Sequence, residues 1–237
     1  MKTNSVINKK NIKITILILL IISIYFLPKQ TNSQTNPQII FSWQAKNFYP
    51  SDYAGKALPT KNSLVSVSLE AFNNNKFIDL SKNPIAWYVD DKKISSGIGL
   101  KSLLFKIEPE FSENLFIKAV IQFDEGKIIE NSFLLPIVNP QLTIDLPYFQ
   151  KTISLFADSL VKIKTIPYFF NINSLNEIDF FWEVNGQRQK SDTNILNLNI
   201  VGLPTLTSQQ KIKITAFAQS KTNSFEISKS EEEILIK

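Results

Sequence analysis

The sequence has 237 residues, 43% hydrophobic and 20% charged, which is enough apolar material for two ordinary domains with packed cores. It contains no cysteine and no histidine, which excludes disulfides, thiol catalysis, imidazole bases and the usual nitrogen and sulfur ligands of zinc. Five of the 26 basic residues and none of the 21 acidic ones lie in residues 1–33, so the rest of the chain is neutral. A neutral body lacks the electrostatic footprint of a nucleic-acid-binding protein.

The first element is a hydrophobic run, Ile14–Leu27, which follows three lysines and ends at Pro28. As a helix it would be roughly 21 Å long, shorter than the ~30 Å hydrocarbon core of a bilayer. The run lacks the polar positions at helical spacing that a core helix should show. A cationic flank, an apolar run and small residues at Thr31 and Ser33 are typical of a cleavable signal peptide, and an uncleaved membrane anchor is the alternative. Both interpretations of residues 1–33 predict an exported body.

Two tryptophan-centred segments, Ile85–Lys92 and Phe180–Gln187, repeat one pattern in the two halves of the chain. Apolar residues alternate through Trp87 and through Trp182, as in a β-strand with one buried face. Each strand then meets a turn pair, Asp-Asp or Asn-Gly, whose residue types tolerate positive φ in two-residue hairpin loops. The repeat predicts two β-hairpins, with Trp87 and Trp182 as core tryptophans.

The similarity extends to both sides of the tryptophans. Strand-like segments follow in the same order in each half, and they pair as Ser63–Val67 with Ser159–Ile163, Leu103–Ile107 with Leu196–Ile200, Leu115–Phe123 with Ile212–Ala216, and the closing strands Ser132–Val138 with Glu233–Ile236. Short strands separated by turn signals, with no helical pattern in the body, predict an all-β protein. We expect two tandem immunoglobulin-like antiparallel β-sandwich domains, at 34–138 and 139–237, joined by a short linker near Asn139–Pro140.

The tryptophan strands also resemble a known family. W-Y-V-D-D from Trp87 and W-E-V-N-G from Trp182 are similar to the third-strand signature of bacterial immunoglobulin-like and PKD-like domains on exported proteins. The resemblance covers Ile39 to Lys237. The chain departs from the PKD pattern, because it lacks the glycine-aspartate run after the tryptophan strand and a closing Y-x-V strand, and it lacks the cysteines of antibody domains. The resemblance implies a fold and a spacer, adhesive or assembly role, and no activity.

Aromatic residues in the first half suggest either core packing or binding. Trp43 shares a strand face with Ile39 and Phe41, which favours a place in the core. The segment Asn47–Pro59 is long and irregular, and it has no counterpart in the second half. It is expected either to fold back over the end of the sheet or to present Phe48, Tyr49 and Tyr53 to a partner.

A second aromatic group lies near the start of the second domain. Tyr168, Phe169 and Phe170, with Tyr148 and Phe149, are too many apolar rings for one exposed loop. The first interpretation is a contact between the two domains, and the second is a partner surface. Tyr168 and Phe169 therefore join Phe48, Tyr49 and Tyr53 as candidates for a partner surface.

Acidic residues occur in predicted turns as the pairs Asp90-Asp91 and Asp124-Glu125. Calcium at a domain junction needs several such oxygen ligands, and no D-x-D-x-D loop is present, so solvated turn acids are the better interpretation. No spacing of two carboxylates indicates glycosidase chemistry. The sequence thus predicts no enzyme, no metal site and no cofactor.

These observations favour an exported, non-enzymatic structural, assembly or adhesion protein that acts through protein contacts at the cell envelope. The N-terminal segment would place it at the outer face of the cytoplasmic membrane, or release it as a secreted protein. The alternatives are a module that binds cell-surface glycans or host proteins through the Phe48–Tyr53 loop, and an accessory domain of an extracellular enzyme system.

Overall fold

The structure is a computed structural model that describes residues 37–123, 126–146, 152–153, 159–200 and 210–236. The predicted signal peptide or anchor at 1–33, the aromatic residues Tyr148 and Phe149, and the acids Asp124 and Glu125 lie outside the described residues. Within the described ranges, no helix is long and apolar enough to cross a membrane.

The first sandwich has eight described strands in two sheets. They are β1 Gln38–Ala45, β2 Leu64–Asn73, β3 Lys76–Ile78, β4 Pro84–Val89, β5 Lys92–Ile98, β6 Ser102–Lys106, β7 Asn114–Gln122 and β8 Ile128–Pro136. In one sheet β2 pairs with β1, β3 and β6, and the other sheet has the order β5-β4-β7-β8. All of these pairs are antiparallel.

The second sandwich also has eight described strands, and they form a three-stranded and a five-stranded sheet. They are β9 Gln141–Asp145, β10 Thr152–Ile153, β11 Ser159–Tyr168, β12 Ile178–Val184, β13 Gln187–Arg188, β14 Ile195–Ile200, β15 Gln210–Ser220 and β16 Ile227–Ile236. The orders are β14-β11-β9 and β10-β16-β15-β12-β13. Only the β10–β16 pair among these described strands is parallel. The chain thus crosses from one sheet to the other between β9 and β10.

The two sandwiches share one pairing scheme. β2 lies between β1 and β6 as β11 lies between β9 and β14, and β4 lies between β5 and β7 as β12 lies between β13 and β15. Each scheme ends with a final strand beside the penultimate one. This is the strand order of immunoglobulin-like sandwiches. The prediction of an all-β, immunoglobulin-like fold is confirmed.

Each sandwich has its own hydrophobic core, and a tryptophan lies in the middle of each. Trp87 and Trp182 are both 0% exposed. Their indole Nε1 atoms donate hydrogen bonds to the carbonyl oxygens of Leu100 (2.8 Å) and Thr193 (2.9 Å). The residue opposite each tryptophan on the neighbouring strand is an alanine, which leaves room for the indole. Trp43 is half-buried against the first core.

The hairpin turns that follow the tryptophan strands are also equivalent. Asp90 and Asn185 both have positive φ, at 46° and 50°. The Oδ1 atom of Asp90 accepts a hydrogen bond from the main-chain N–H of Phe116, and Oδ1 of Asn185 accepts one from Lys213, each at 2.9 Å. The turn side chains therefore tie each hairpin to the adjoining strand in the same way.

Candidate functional site

The loop after β1 meets the end of β11 through main-chain hydrogen bonds, which join the two sandwiches within the compact unit Pro37–Lys237. The N–H of Phe48 donates to the carbonyl oxygen of Phe170, and the N–H of Phe169 donates to the carbonyl oxygen of Phe48, both at 2.7 Å. The segment that was considered for partner binding is thus paired with the second sandwich. We call this region, around Phe48, Phe169 and Phe170, the junction.

Two of the five partner-surface candidates are part of the junction. Phe169 is 2% exposed, so it is not available to a partner, and this corrects its place among those candidates. Phe48 is half-buried and packs against the core of the second sandwich, although it belongs to a loop of the first. Both rings lie there because removing their apolar surface from water lowers the free energy of the folded chain. Phe169 therefore lies in a contact between the two sandwiches, which is the first of the two interpretations given to it above.

The other three candidates form an aromatic strip beside the junction. The ring centroids of Tyr49 and Tyr53 are 6.0 Å apart, and those of Tyr53 and Tyr168 are 5.5 Å apart in an edge-on arrangement. Tyr53 and Tyr168 are half-buried, and Tyr49 is exposed. The strip therefore keeps accessible aromatic surface.

A buried polar network lies under the two main-chain bonds. The side-chain amide nitrogen Nδ2 of Asn47 has three acceptors, which are the carbonyl oxygens of Phe169 (2.8 Å) and Leu58 (3.1 Å) and the hydroxyl of Thr60 (3.2 Å). The Thr60 hydroxyl is also 3.2 Å from the Phe169 carbonyl oxygen. Asn47 and Thr60 are both buried. One carbonyl of the second sandwich is thus bound by two buried side chains of the first.

Asn171 extends the network from the second sandwich. Its Nδ2 atom contacts the Thr60 hydroxyl (3.0 Å), the carbonyl oxygen of Lys61 (2.9 Å) and Oε1 of Glu226 (2.8 Å). Its main-chain N–H donates to the same Oε1 at 2.6 Å. Glu226 is 5% exposed, and this burial raises the pKa of its carboxyl, while hydrogen bonds from Asn171 and a weaker interaction with the Ser220 hydroxyl, which contacts Thr222 at 3.1 Å, oppose the shift.

A small cleft of about 180 Å³ opens beside this network. Its apolar lining comes from Pro109 and Val138 of the first sandwich, Pro140 of the linker and Phe225 of the second sandwich. Phe225 is 94% exposed. The cleft is smaller than most small-molecule sites, which measure about 300–1,000 Å³. It is a surface feature of the junction and not a pocket that encloses a substrate.

A larger groove of about 360 Å³ lies elsewhere, on the outer face of the β5-β4-β7-β8 sheet. Ala86 and Val120 form part of its floor, and Ile98 and Ile128 are strongly exposed beside them. Nothing in the sequence pattern predicted this groove, because it depends on which residues four separate strands place next to each other.

Acidic side chains in the described turns form a hydrogen bond and an ion pair with the adjoining strand. Asp90 accepts the hydrogen bond that holds its hairpin, and Oδ1 of Asp91 is 3.2 Å from the Lys118 ammonium. In the part of the chain that the structure describes, no group of three or more acidic side chains is arranged to hold a metal ion.

The polar core of the junction was not found from the sequence. Thr60, Asn171 and Glu226 are single polar residues in irregular segments, and such residues carry no periodic signal. Asn47 and Phe169 are separated by 122 positions, and Asn171 and Glu226 by 55. Only an alignment of related chains, in which paired positions vary together, would reveal contacts of this kind.

No protein family matches the sequence, and no curated protein matches it. The three N-terminal domains of the bacteriophage RB49 highly immunogenic outer capsid protein (Hoc) are similar in structure, with a TM-score of 0.43 and 8% identity over 85% of this chain and 59% of that chain. The fibronectin(III)-like modules of Clostridium thermocellum CbhA have a TM-score of 0.28 and 16% identity, over 84% of this chain and 93% of theirs. The Ig1-2 module of the Drosophila receptor protein tyrosine phosphatase DLAR has a TM-score of 0.27 and 15% identity, over 86% and 100%. The chain thus spans only 59% of the length of that three-domain phage fragment. Because these scores are low, the fold assignment rests on the strand order described above.

Proposed function

We propose that this chain is an exported, non-enzymatic structural or adhesion protein whose two immunoglobulin-like sandwiches act as one stiff unit. In this proposal the unit holds a protein-contact surface at the outer face of the cytoplasmic membrane or, after cleavage, outside the cell. The observation that carries it is the junction, where two main-chain hydrogen bonds and a buried polar network join the sandwiches. Domains joined by a free linker are expected to move relative to each other.

The linker supports the same conclusion. Ile137 is the last buried residue of the first core and Leu142 is the first of the second, so few residues connect them. The N–H of Val138 donates to the carbonyl oxygen of Pro59 at 3.0 Å, which fixes the linker against the loop that carries the junction. A fixed linker and a paired loop restrain the angle between the sandwiches at two separate places. Such restraint suits a spacer, which must hold a surface at a defined distance.

Stiffness can be measured on the full chain, because the absence of native cysteines allows site-specific spin labels. Labels at Ser66→Cys and Lys162→Cys would lie on exposed positions of β2 and β11, one in each sandwich. We expect a single narrow distance distribution by pulsed electron spin resonance. Asn47→Ala should broaden it, because it removes the amide that binds the Phe169 carbonyl.

The matched control is Asn131→Ala. The Asn131 amide also donates to a carbonyl oxygen, that of Ile39 at 2.7 Å, but within the first sandwich. This control should leave the distance distribution narrow. A broad distribution in the unsubstituted chain would contradict the stiff-unit proposal.

Export is supported by the lysines and the hydrophobic run Ile14–Leu27, and it has its own test. An alkaline phosphatase fused after Lys237 should be active, because that enzyme folds only outside the cytoplasm. Activity of a cytoplasmic reporter alone at the same position would refute export, and it would leave the stiffness result standing.

A glycan-binding function is the second candidate, and the aromatic strip favours it. Tyr49, Tyr53 and Tyr168 offer accessible rings of the kind that stack on sugars. A photo-crosslinking residue at Tyr49 in the full chain, used with envelope extract, separates the two candidates. Mass spectrometry of the crosslinked peptide identifies what was captured: an added polypeptide supports the protein-contact proposal, and an added carbohydrate that glycosidases remove overturns it in favour of glycan.

A further inference from the structure

Three buried oxygen atoms at the junction have no hydrogen-bond donor among the described residues. They are Oδ1 of Asn47, Oδ1 of Asn171 and Oε2 of Glu226. The amide nitrogens next to them are already saturated, because Nδ2 of Asn47 has three acceptors within 3.2 Å and Nδ2 of Asn171 has three within 3.0 Å, while each carries two hydrogens. Buried acceptors without donors are unfavourable. The network is therefore short of donors.

Glu226 is the group in this network that can gain a donor. Its carboxyl faces Asn171, because Oε1 accepts both the main-chain N–H (2.6 Å) and Nδ2 (2.8 Å) of that residue. Its own main chain is fixed in the loop between β15 and β16 by bonds to Asn223 and Ser220, each at 2.9 Å. Hydrogen bonds to the main chain and to the carboxyl of Glu226 thus hold this side chain inside the junction.

We propose that Glu226 keeps its proton in the folded chain at pH values where an exposed glutamate is ionised, and that this proton supplies the donor the junction lacks. The proton comes from solvent and forms one O–H bond at Oε2, which turns a carboxylate into a neutral carboxylic acid. In this proposal the acceptor is the unpartnered Oδ1 of Asn171, whose Nδ2 is 2.8 Å from Oε1 of the same carboxyl. The junction is then held more firmly in mild acid than at alkaline pH.

The electrostatic surroundings agree with this assignment. Charged side chains on the segments around Glu226 are those of Lys61, Glu108 and Glu110 in the first sandwich and Glu177, Asp179 and Lys221 in the second. Glu177 is half-buried and the rest are exposed. None of these described side chains forms an ion pair with Glu226, and Lys221 pairs with Asp179 at 3.7 Å. Burial, rather than a neighbouring charge, therefore determines the protonation of Glu226, and it raises the pKa of this carboxyl.

The direction of the pH dependence follows from linkage. An unfolded glutamate has a pKa of 4.5, and the folded value is higher. Between these two values the folded chain binds more protons than the unfolded chain, so its stability falls as pH rises. The contribution is therefore most favourable below 4.5 and is lost as pH rises through the folded pKa of Glu226.

The test compares the full chain in mild detergent with its Glu226→Gln variant, which imitates the neutral acid at every pH. We expect the unfolding temperature of the unsubstituted chain to fall relative to the variant as pH rises from 4.5 through the folded pKa of Glu226. Hydrogen exchange at the Phe48 and Phe169 amides, corrected for intrinsic rates, should accelerate with pH in the unsubstituted chain only. Glu110→Gln, at an exposed position, is the control and should follow the unsubstituted chain.

Other results would overturn the proposal. A variant whose stability falls relative to that of the unsubstituted chain as pH rises would mean that the ionised carboxylate is preferred. An ordinary titration midpoint in the carboxyl carbon-13 resonance of Glu226 would mean the same, even if the variant failed to fold. Stabilisation by calcium at about pH 8, absent in Glu226→Gln, would mean that a cation rather than a proton satisfies these oxygens. All of these outcomes are independent of export and of the partner's identity.

Discussion

The two sandwiches have matching interiors and different outer faces. Inside, Trp87 and Trp182 are equally buried, donate to equivalent carbonyls and face an alanine on the neighbouring strand. Outside, the β5-β4-β7-β8 sheet of the first sandwich carries an apolar groove, where Ile98 is 73% and Ile128 is 63% exposed. These isoleucines extend into solvent beside the floor of the groove.

The corresponding face of the second sandwich is covered by its own charged side chains. The Arg188 guanidinium lies 4.6 Å from the ring centroid of Phe181, and the Lys229 ammonium lies 5.5 Å from that of Phe217. Ion pairs join the neighbouring strands, as between Lys213 and Glu231 at 3.0 Å. Cations over aromatic faces and paired charges make most of this face polar, with Ile227 exposed at one end.

The difference shows which constraints the repeated fold imposes. Close packing between two sheets fixes the volume and the hydrogen bond of each tryptophan, so the interiors match. Outer faces are free of that constraint and can differ between domains of one fold. Function in such proteins resides on surfaces and at junctions, and not in the repeated core. The predictions below test this comparison, beginning with the interiors.

The largest effect is expected at the tryptophans. Trp87→Ala and Trp182→Ala should each cost about 3–5 kcal/mol of stability, because a large buried side chain leaves a cavity. Hydrogen exchange should report the loss in the sandwich that carries the substitution, at Ala119 for the first and Ala216 for the second. Trp43→Ala is the control, since this ring is only half-buried and should cost less. Equal loss of protection in both sandwiches after either substitution would contradict two separate cores.

The contrast between matching interiors and different outer faces also explains which features the sequence predicts. The tryptophan strands and the strands around them were predicted because period-two alternation and turn residues are local signals, as in Ile85–Val89 followed by Asp90. The two-residue strand β10 was not predicted, since its parallel pairing with β16 joins residues 83 positions apart and has no local pattern. The role of Phe48 was left open for a related reason. An apolar side chain in a loop is equally consistent with a partner surface and with a contact to a distant segment.

A smaller effect is expected at the two hairpin turns, which differ in their second residue. Asp91 has φ 63° and Gly186 has φ 78°, and left-handed backbone favours glycine. Gly186→Asp should destabilise the second sandwich by about 1 kcal/mol. Asp91→Gly should stabilise the first sandwich by less than that amount, because it also removes the ion pair between Asp91 and Lys118. The loss of this pair is small, since the Asp91 side chain is strongly exposed. Chemical denaturation measures both changes. Shifts of the same sign in the two variants would show that the turns are not equivalent.

The smallest effect on stability is expected from substitutions on the outer faces of the sheets. The same substitutions should have the largest effect on the binding of apolar molecules to the surface. Ile98→Lys combined with Ile128→Lys should change stability by no more than about 0.5 kcal/mol, because both side chains are already exposed. It should reduce the binding of an apolar fluorescent dye, since the charged ends would stand in solvent over the groove. Arg188→Ala in the second sandwich should do the reverse, because it uncovers the ring of Phe181. If dye binding were unchanged by the double substitution, the accessible apolar surface would lie elsewhere, with exposed Phe225 as the next position to test.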